Sequence, residues 1–575
     1  MDSDAETLLI RAINASRQGF FPAYAGLRIA SASAKGSAAH AVDLVTSRLA
    51  ESPICRLRRY QQYKGTDPIS GQHDYRACMA ASPLTSLTEA VVLSMLAGQE
   101  AFSIPLRAYS YHWPHSAKTG ASFDFFATRY NQRNRDIAGL LGPDDVATVV
   151  DVRRFYPSVD PAMILSTMER RLVRTALSPV SQKGVLSFTD TLLRQGGGGL
   201  PIGPALSHFL GHVAVEAIDE ALTAQFGDRY FRYVDDIIIV TSRSGAATAR
   251  DAIARAVADA HLELNEDKNA ELDANQWQIA LQEPDVAEGD SFGELVKDLT
   301  LWLAYNDVST EALVSQCRNF GVALPLTRLQ ALSRYTRFQR FAQVFNSRKH
   351  WWRTAYLTRR EFSSFLERAR TLKSVYQAAF DRQAEALRAA QGVERRWPLQ
   401  RLRRVTNPLF YLRTFEEWRG DLGVLDAIPE LQEQAALARS LADGTPLPVL
   451  QISAKAVAAF CDLWTDYGSG HITLEQHLFP LGLSSEEGVC TLRLHDLLAP
   501  ISVDACEEAS SLFQAVGSAR LRERIACDFS FDDELESLRL PYSAEELAHL
   551  VRSRYSERED AGLAALRLSG SRSAS

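Results

Sequence analysis

Two adjacent carboxylates, Asp235 and Asp236, stand between two strand-forming runs. Tyr230, Phe231, Arg232, Tyr233 and Val234 precede them, and four β-branched residues, Ile237, Ile238, Ile239 and Val240, follow. The pattern predicts a buried hairpin with an acidic corner. Two carboxylates about 4 Å apart repel by about 4 kcal/mol at an effective dielectric near 20. Such a corner either shifts a pKa or holds a cation. Two other acidic pairs serve as controls. Asp144 and Asp145 follow Gly142-Pro143 and read as a turn, and Asp532 and Asp533 sit in an acidic run that reads as a helix start. Neither has apolar strands on both sides. A third carboxylate, Asp151, ends the short β run of Ala147, Thr148, Val149 and Val150. One aspartate at a strand end and two at a neighbouring hairpin tip can converge on two Mg²⁺ ions, or on Mn²⁺ in their place. Hard oxygen ligands of that kind, completed by substrate phosphates, make the two-metal clamp of phosphoryl-transfer sites.

The elements that must position these groups follow the order strand, long helix, Gly-rich turn, helix, hairpin, helix, short strand between residues 147 and 275, an α+β pattern. Gly196 to Gly199 is not followed by Gly-Lys-Ser/Thr, which rejects a P-loop; the run instead lets backbone come close to a nucleotide or a strand. Pro204 opens a helix predicted to run through Leu222. The first hundred residues read as mostly helical, with apolar residues at helical spacing over 84–97 and a small-residue connector over 31–37. Arg56, Arg58, Arg59, Tyr60, Tyr63 and Lys64 form a basic and aromatic cluster, either a solvated helix face or cations for a nucleic-acid backbone or triphosphate. His112 and His115 lack zinc-ligand company.

A length of 575 residues with 46% hydrophobic content predicts two or three domains. No run of eighteen apolar residues occurs and the first residues lack the regions of a signal peptide, so a cytoplasmic protein without a membrane anchor is expected. Seven scattered cysteines without Cys-x-x-Cys spacing read as reduced thiols. The net charge of −7 hides an uneven distribution: residues 328–419 hold 21 Lys+Arg against 7 Asp+Glu.

Three ordered boxes carry a family resemblance. Tyr233-Val234-Asp235-Asp236 resembles the YxDD box of reverse transcriptases, and residues 151–159 resemble their first-aspartate motif. Gly199-Leu200-Pro201-Ile202-Gly203 lies between them, where that family has its Gly-Leu-Pro-x-Gly turn. The resemblance implies a fingers and palm fold, dNTP substrates, and ions held by Asp151, Asp235 and Asp236. It also implies nucleotide contacts from Val152, Tyr156, Pro201 and Gly203, with Tyr156 closing against the sugar 2′ position. Leu262-Glu263-Leu264-Asn265-Glu266-Asp267-Lys268 resembles the family's Leu-x-Leu-Asn-x-x-Lys segment, which makes Lys268 a candidate proton donor to the leaving pyrophosphate. Residues 107–113 resemble the aromatic segment ahead of the palm in several bacterial members.

The departures narrow the resemblance. Template-copying members usually carry Gln where Ile202 stands, and Ser-Pro where Pro204-Ala205 stands. The Leu-Pro-Ile-Gly-Pro box with a long helical extension is similar to the abortive-infection and defence-associated reverse transcriptases of bacteria. Some of those extend a hydroxyl on their own chain without a template, some copy a bound noncoding RNA, and they tend to form ring-like oligomers, so a homo-oligomer is among the implied states. A catalytically silent nucleic-acid scaffold is the rival of another class. The expected layout is a helical fingers region over 1–105, a palm over 106–275, an all-α domain with helical repeats over 276–567, and a disordered tail over 568–575. Connectors are expected at 321–325, Trp397-Pro398, 444–446 and 480–482. Within the basic block, Arg348, Lys349 and Arg353 are candidates to grip a single-stranded DNA product or a bound RNA.

Overall fold

The computed structural model describes residues 4–17, 38–67, 70, 72–114, 120–124, 126–266, 269–281, 291–306, 308–332, 359–390, 395–450, 452–468, 472–474 and 503–505. Helices α1 (Ala5–Arg17) and α2 (Ala38–Arg48) lead to a hairpin of β1 (Leu57–Thr66) and β2 (His73–Ala81), then α3 (Pro83–Ala97). The hairpin corrects the expectation of a mostly helical start. Arg56–Lys64 has too few apolar residues to fix a helical period, and the cross-strand pair Tyr63 and Tyr75, ring centroids 6.0 Å apart, stabilises the ladder instead. Helix α3 falls where the spacing predicts it. Ser82 accepts a hydrogen bond from the Thr85 N–H and Pro83 occupies the first turn.

After α4 (Phe126–Leu140), a four-stranded antiparallel sheet is assembled in the order β4-β5-β3-β6. Its strands are β3 (Asp145–Asp151), β4 (Tyr230–Tyr233), β5 (Asp236–Ser242) and β6 (Ala270–Asp273). Between β3 and β4 lie α5 (Phe155–Ser158), α6 (Pro161–Leu172), α7 (Pro179–Gln195), α8 (Ala205–Ala214) and α9 (Glu216–Phe226). The single long helix expected after Asp151 is therefore three, with Asp160 and Ser178 capping the second and third. The helix expected from Pro204 through Leu222 is two, because Val215, at φ −108° and ψ 14°, leaves the helical region. Helix α10 (Ala246–Asp259) follows β5, and α11 (Ala274–Leu281) follows β6.

Side chains alternate across the sheet. Val150, Tyr230, Ile237 and Ile239 face α6 to α10 in one core. Val149, Phe231, Ile238 and Val240 face Ile137 of α4 and Trp277 of α11 in another.

The chain continues as helices: α12 (Phe292–Tyr305), α13 (Thr310–Phe320), α14 (Leu326–Leu332), α15 (Phe362–Ala389), α16 (Arg396–Leu412), α17 (Phe415–Asp426), α18 (Gln432–Asp443), α19 (Leu447–Leu450) and α20 (Ala454–Tyr467). Gly321 and Gly444 end α13 and α18 with φ 70° and 72°, the left-handed cap that glycine adopts without strain. Trp397 and Pro398 are not a connector; they lie in the first turn of α16, where a missing N–H costs nothing. The extension is also not wholly helical, since β7 (Ile472–Leu474) and β8 (Val503–Ala505) pair in parallel. A third core spans both ends of the described chain, joining Leu8, Ala12, Cys78, Ala80 and Leu87 to Phe292, Trp302, Phe365, Phe380, Trp418 and Phe460. Cys55, Cys78, Cys317 and Cys461 are buried. No helix among the described residues is long and apolar enough to cross a membrane.

Candidate active site

Strands β4 and β5 are joined by two residues, Val234 and Asp235, with Tyr233 opposite Asp236. Val234 has φ 58° whereas Asp235 is not left-handed, the signature of a type II′ hairpin turn. Glycine is the usual occupant of that first position. A β-branched residue there costs on the order of 1–3 kcal/mol and persists only where its surroundings impose it. Both polar groups of the Val234 backbone are held: its N–H donates to Ser110 Oγ at 3.1 Å, and its carbonyl accepts from Arg232 Nη1 at 3.0 Å.

Arg232 is the centre of a buried network. Its Nε and Nη2 donate to the two oxygens of Asp219 at 2.6 Å each, with side-chain exposures of 1% and 5%. Tyr230 Oη donates to Asp219 at 2.5 Å. Burial acts to lower the guanidinium pKa, but Asp219 outweighs it and the net shift is upward. Burial and the Arg232 charge hold His212 well below the ordinary imidazole range, so the ring is neutral. Its Nδ1 accepts from Arg232 Nη2 at 3.0 Å and its Nε2–H donates to the Ser110 carbonyl at 2.9 Å. The break at Val215 brings Asp219 of α9 beneath β4 to complete the set.

Strand β3 places Asp151 directly opposite Asp236 on β5. Opposed residues of an antiparallel pair share a face, with Cβ atoms about 4.5–5.5 Å apart. The Val152 N–H donates to the Asp235 carbonyl at 3.2 Å, tying the strand end to the turn. Asn265 binds Asp151 twice, its backbone N–H to the carbonyl at 2.8 Å and its Nδ2 to Oδ1 at 3.1 Å. Asp151 and Asp235 are 2% and 6% exposed. On the opposite side of the hairpin from Arg232, the buried Arg133 of α4 lies over the rings of Tyr130 and Tyr233, 4.6 Å and 5.4 Å from their centroids. Its Nη1 is 3.9 Å from Asp236 Oδ2.

The donor set suits hard divalent cations: carboxylate oxygens only, two of the three side chains nearly buried, one pair facing across a ladder. Among the described residues, no group of three or more His, Cys, Asp or Glu side chains is arranged to hold a metal.

The glycine-rich box explains itself by backbone contact. A Cβ on Gly199 would lie 2.5 Å from the Pro157 carbonyl oxygen, and one on Gly203, at φ 126°, would lie 2.2 Å from the Met79 carbonyl oxygen. The Leu200 N–H donates to the Tyr156 carbonyl at 2.8 Å and the Met79 N–H to the Ile202 carbonyl at 2.7 Å. The box thus joins the β1–β2 hairpin to the segment after Asp151. Val152 has its side chain in the core and Pro201 is buried, whereas Gly203 is exposed and Tyr156 partly exposed. Tyr156 Oη is 2.9 Å from His208 Nδ1. Burial, with Tyr111 and Asp235 nearby, holds the phenol well above its ordinary pKa. Lys268, Arg348, Lys349 and Arg353 lie outside the described residues.

Sequence reasoning missed Ser110, Arg133, His208, Asp219, Arg232 and Asn265. Three of them lie in segments already singled out: Arg232 in the run before the acidic pair, Ser110 within 107–113, and Asn265 three residues ahead of Lys268.

A search of curated proteins gave no match. The family model described as reverse transcriptase (RNA-dependent DNA polymerase) matches residues 75–279, from within β2 to within α11, and takes in Asp151, the glycine box, Asp235, Asp236 and Asn265. Residues 75–279 are a reverse transcriptase domain, and the enzyme is a nucleotidyltransferase of the RNA-dependent DNA polymerase class.

Proposed function

We propose that the chain makes DNA from dNTPs in bacterial anti-phage defence, extending a hydroxyl of its own chain without a template. The observation that carries the untemplated reading is Ile202. The glutamine of template-copying relatives is replaced there by an aliphatic side chain, which packs against the core formed by the N-terminal and C-terminal helices. No amide is available at this position to order a nucleotide over a template base. The defence role rests on the Leu-Pro-Ile-Gly-Pro box followed by a helical extension.

Asp151, Asp235 and Asp236 would hold the two ions. Bound divalent cations lower the pKa of the attacking hydroxyl and neutralise charge growing on the departing pyrophosphate. Asn265 orients Asp151, the network around Arg232 fixes Asp235, and Tyr156 borders the sugar. Asp235→Ala is expected to abolish incorporation while the protein stays folded; a folded Asp235→Ala protein that still incorporates label refutes the site.

The family's description favours a second reading, copying of a bound RNA. Incubation with labelled dNTPs and Mg²⁺ without added template, followed by denaturing electrophoresis, separates the two. Label joined covalently to protein supports self-priming. Label in free nucleic acid that disappears after RNase treatment of the purified protein supports copying, and absence of any label would point to a scaffold.

A further inference from the structure

Three rings meet beside the turn that carries Asp235. Tyr111 lies flat on His208, with centroids 4.3 Å apart and an interplanar angle of 8°. His208 stands perpendicular to Tyr156, 6.0 Å between centroids and 89° between planes, with its Nδ1 at the Tyr156 hydroxyl. Each of the three keeps part of its surface open, while Ser207, Phe209 and Leu210 around His208 are buried.

Two backbone features are arranged around this cluster. Tyr111 has φ 48°, a left-handed conformation that a bulky residue adopts only under constraint and that concentrates at functional sites. The constraint is visible next door: Ser110 bonds both the Val234 N–H and His212, so the segment that anchors the acidic turn also fixes where Tyr111 points. One helical turn beyond His208, Gly211 faces the same cluster. A Cβ there would make ordinary contacts, 3.4 Å from Phe155 Cε1 and 3.9 Å from the Tyr156 hydroxyl.

We propose that Tyr111 and His208 are specificity-determining residues that hold Tyr156 as a rigid wall at the sugar of the incoming nucleotide, His208 by fixing the hydroxyl and Tyr111 by bracing the imidazole. This rests on the reading of Tyr156 as the group that senses the 2′ position. A tyrosine ring free to rotate about its χ1 and χ2 angles would yield to a 2′-hydroxyl; one tethered at its far end would not.

The test is the ratio of kcat/KM for dNTP to that for rNTP in the full-length protein, with melting temperature recorded for each variant. Tyr156→Ala should lower the ratio by about 10- to 200-fold, the range over which pocket shape discriminates. Tyr156→Phe keeps the ring and loses the tether, and His208→Ala removes the partner. Each should lower the ratio by about 2- to 10-fold, the worth of one neutral hydrogen bond, and the double variant should go no further than either single. His208→Asn, which retains an acceptor, should restore the ratio. If Tyr156→Ala leaves the ratio unchanged, the reading of Tyr156 falls and takes the inference with it. If Tyr156→Ala lowers the ratio but Tyr156→Phe does not, the tether is refuted and Tyr156 acts by bulk alone. Additive losses in the double variant refute it equally. Should His208→Ala fail to fold, Tyr156→Phe decides the question alone.

Discussion

Two buried arginines stand on opposite faces of the same hairpin, and they are partnered differently. Arg232, facing the larger of the two cores beside the sheet, has its charge met by both oxygens of Asp219 and also donates to the Val234 carbonyl and to His212 Nδ1. Arg133, facing the smaller core, is sandwiched against two tyrosine rings, with a carboxylate at 3.9 Å and no hydrogen bond at Nη1. The first arrangement fixes geometry. The second supplies positive charge near Asp236. The contrast assigns Arg232 to shaping the strained turn and Arg133 to balancing charge beside it.

The largest effect should come from breaking the saturated pair. Arg232→Met leaves Asp219 buried and uncompensated, and is expected to cost about 3–5 kcal/mol in urea unfolding. Arg232→Met combined with Asp219→Leu should cost less than Arg232→Met alone. Equal costs would show that packing, not pairing, is what the arginine provides.

Glu89 gives an intermediate case, a buried carboxylate hydrogen-bonded by backbone N–H groups. It accepts from the Leu206 N–H at 2.8 Å at the start of α8, and burial pushes its pKa up to about 7. A carboxyl pKa raised above its unfolded value favours the fold at low pH, and that contribution is lost as pH climbs from about 4.5 through about 7. The shift corresponds to roughly 3 kcal/mol. Glu89→Gln should therefore flatten the stability profile between about pH 4.5 and about pH 7; a profile that keeps its slope assigns the dependence elsewhere.

Arg133→Gln should cost less again, about 1–2 kcal/mol, because cation–π contact and a long ion pair are what it loses. A double-mutant cycle with Asp236→Asn should reveal coupling between the two. The smallest change is expected for Val234→Gly. Relief of the left-handed backbone is offset by unfolded-state entropy, so stability should move by no more than about 1 kcal/mol. A larger loss would mean that the valine side chain matters more than the turn conformation.

Much of the central sheet was legible in the residues. Alternation across residues 230–240 and 147–151 gave the strands, and their pairing sets Asp151 opposite Asp236, next to the turn that carries Asp235. The β1–β2 hairpin was not legible, because its charged and polar residues carry no clear period and its stability comes from cross-strand pairing and from docking on the glycine box. The supporting groups were hidden for a related reason. Arg232 and Asp219 are thirteen positions apart, and Ser110 and Val234 are 124 apart, so each pair exists only once the helices and strands are packed. Gly203 was read as a nucleotide contact. The structure shows what its missing side chain makes room for, the Met79 backbone.

The core that unites Leu8 and Ala12 with Phe365 and Phe460 bears on how this enzyme can be dissected. Segments on either side of the polymerase domain in sequence close over one another in space, so the domain is embedded in a body that both flanks build. A fragment ended after α11 would leave the apolar sides of α1, β2 and α3 facing water. Trimming the downstream helices is thus equivalent to stripping α1, β2 and α3 of their support, and loss of synthesis in such a fragment would say nothing about whether those helices touch the product.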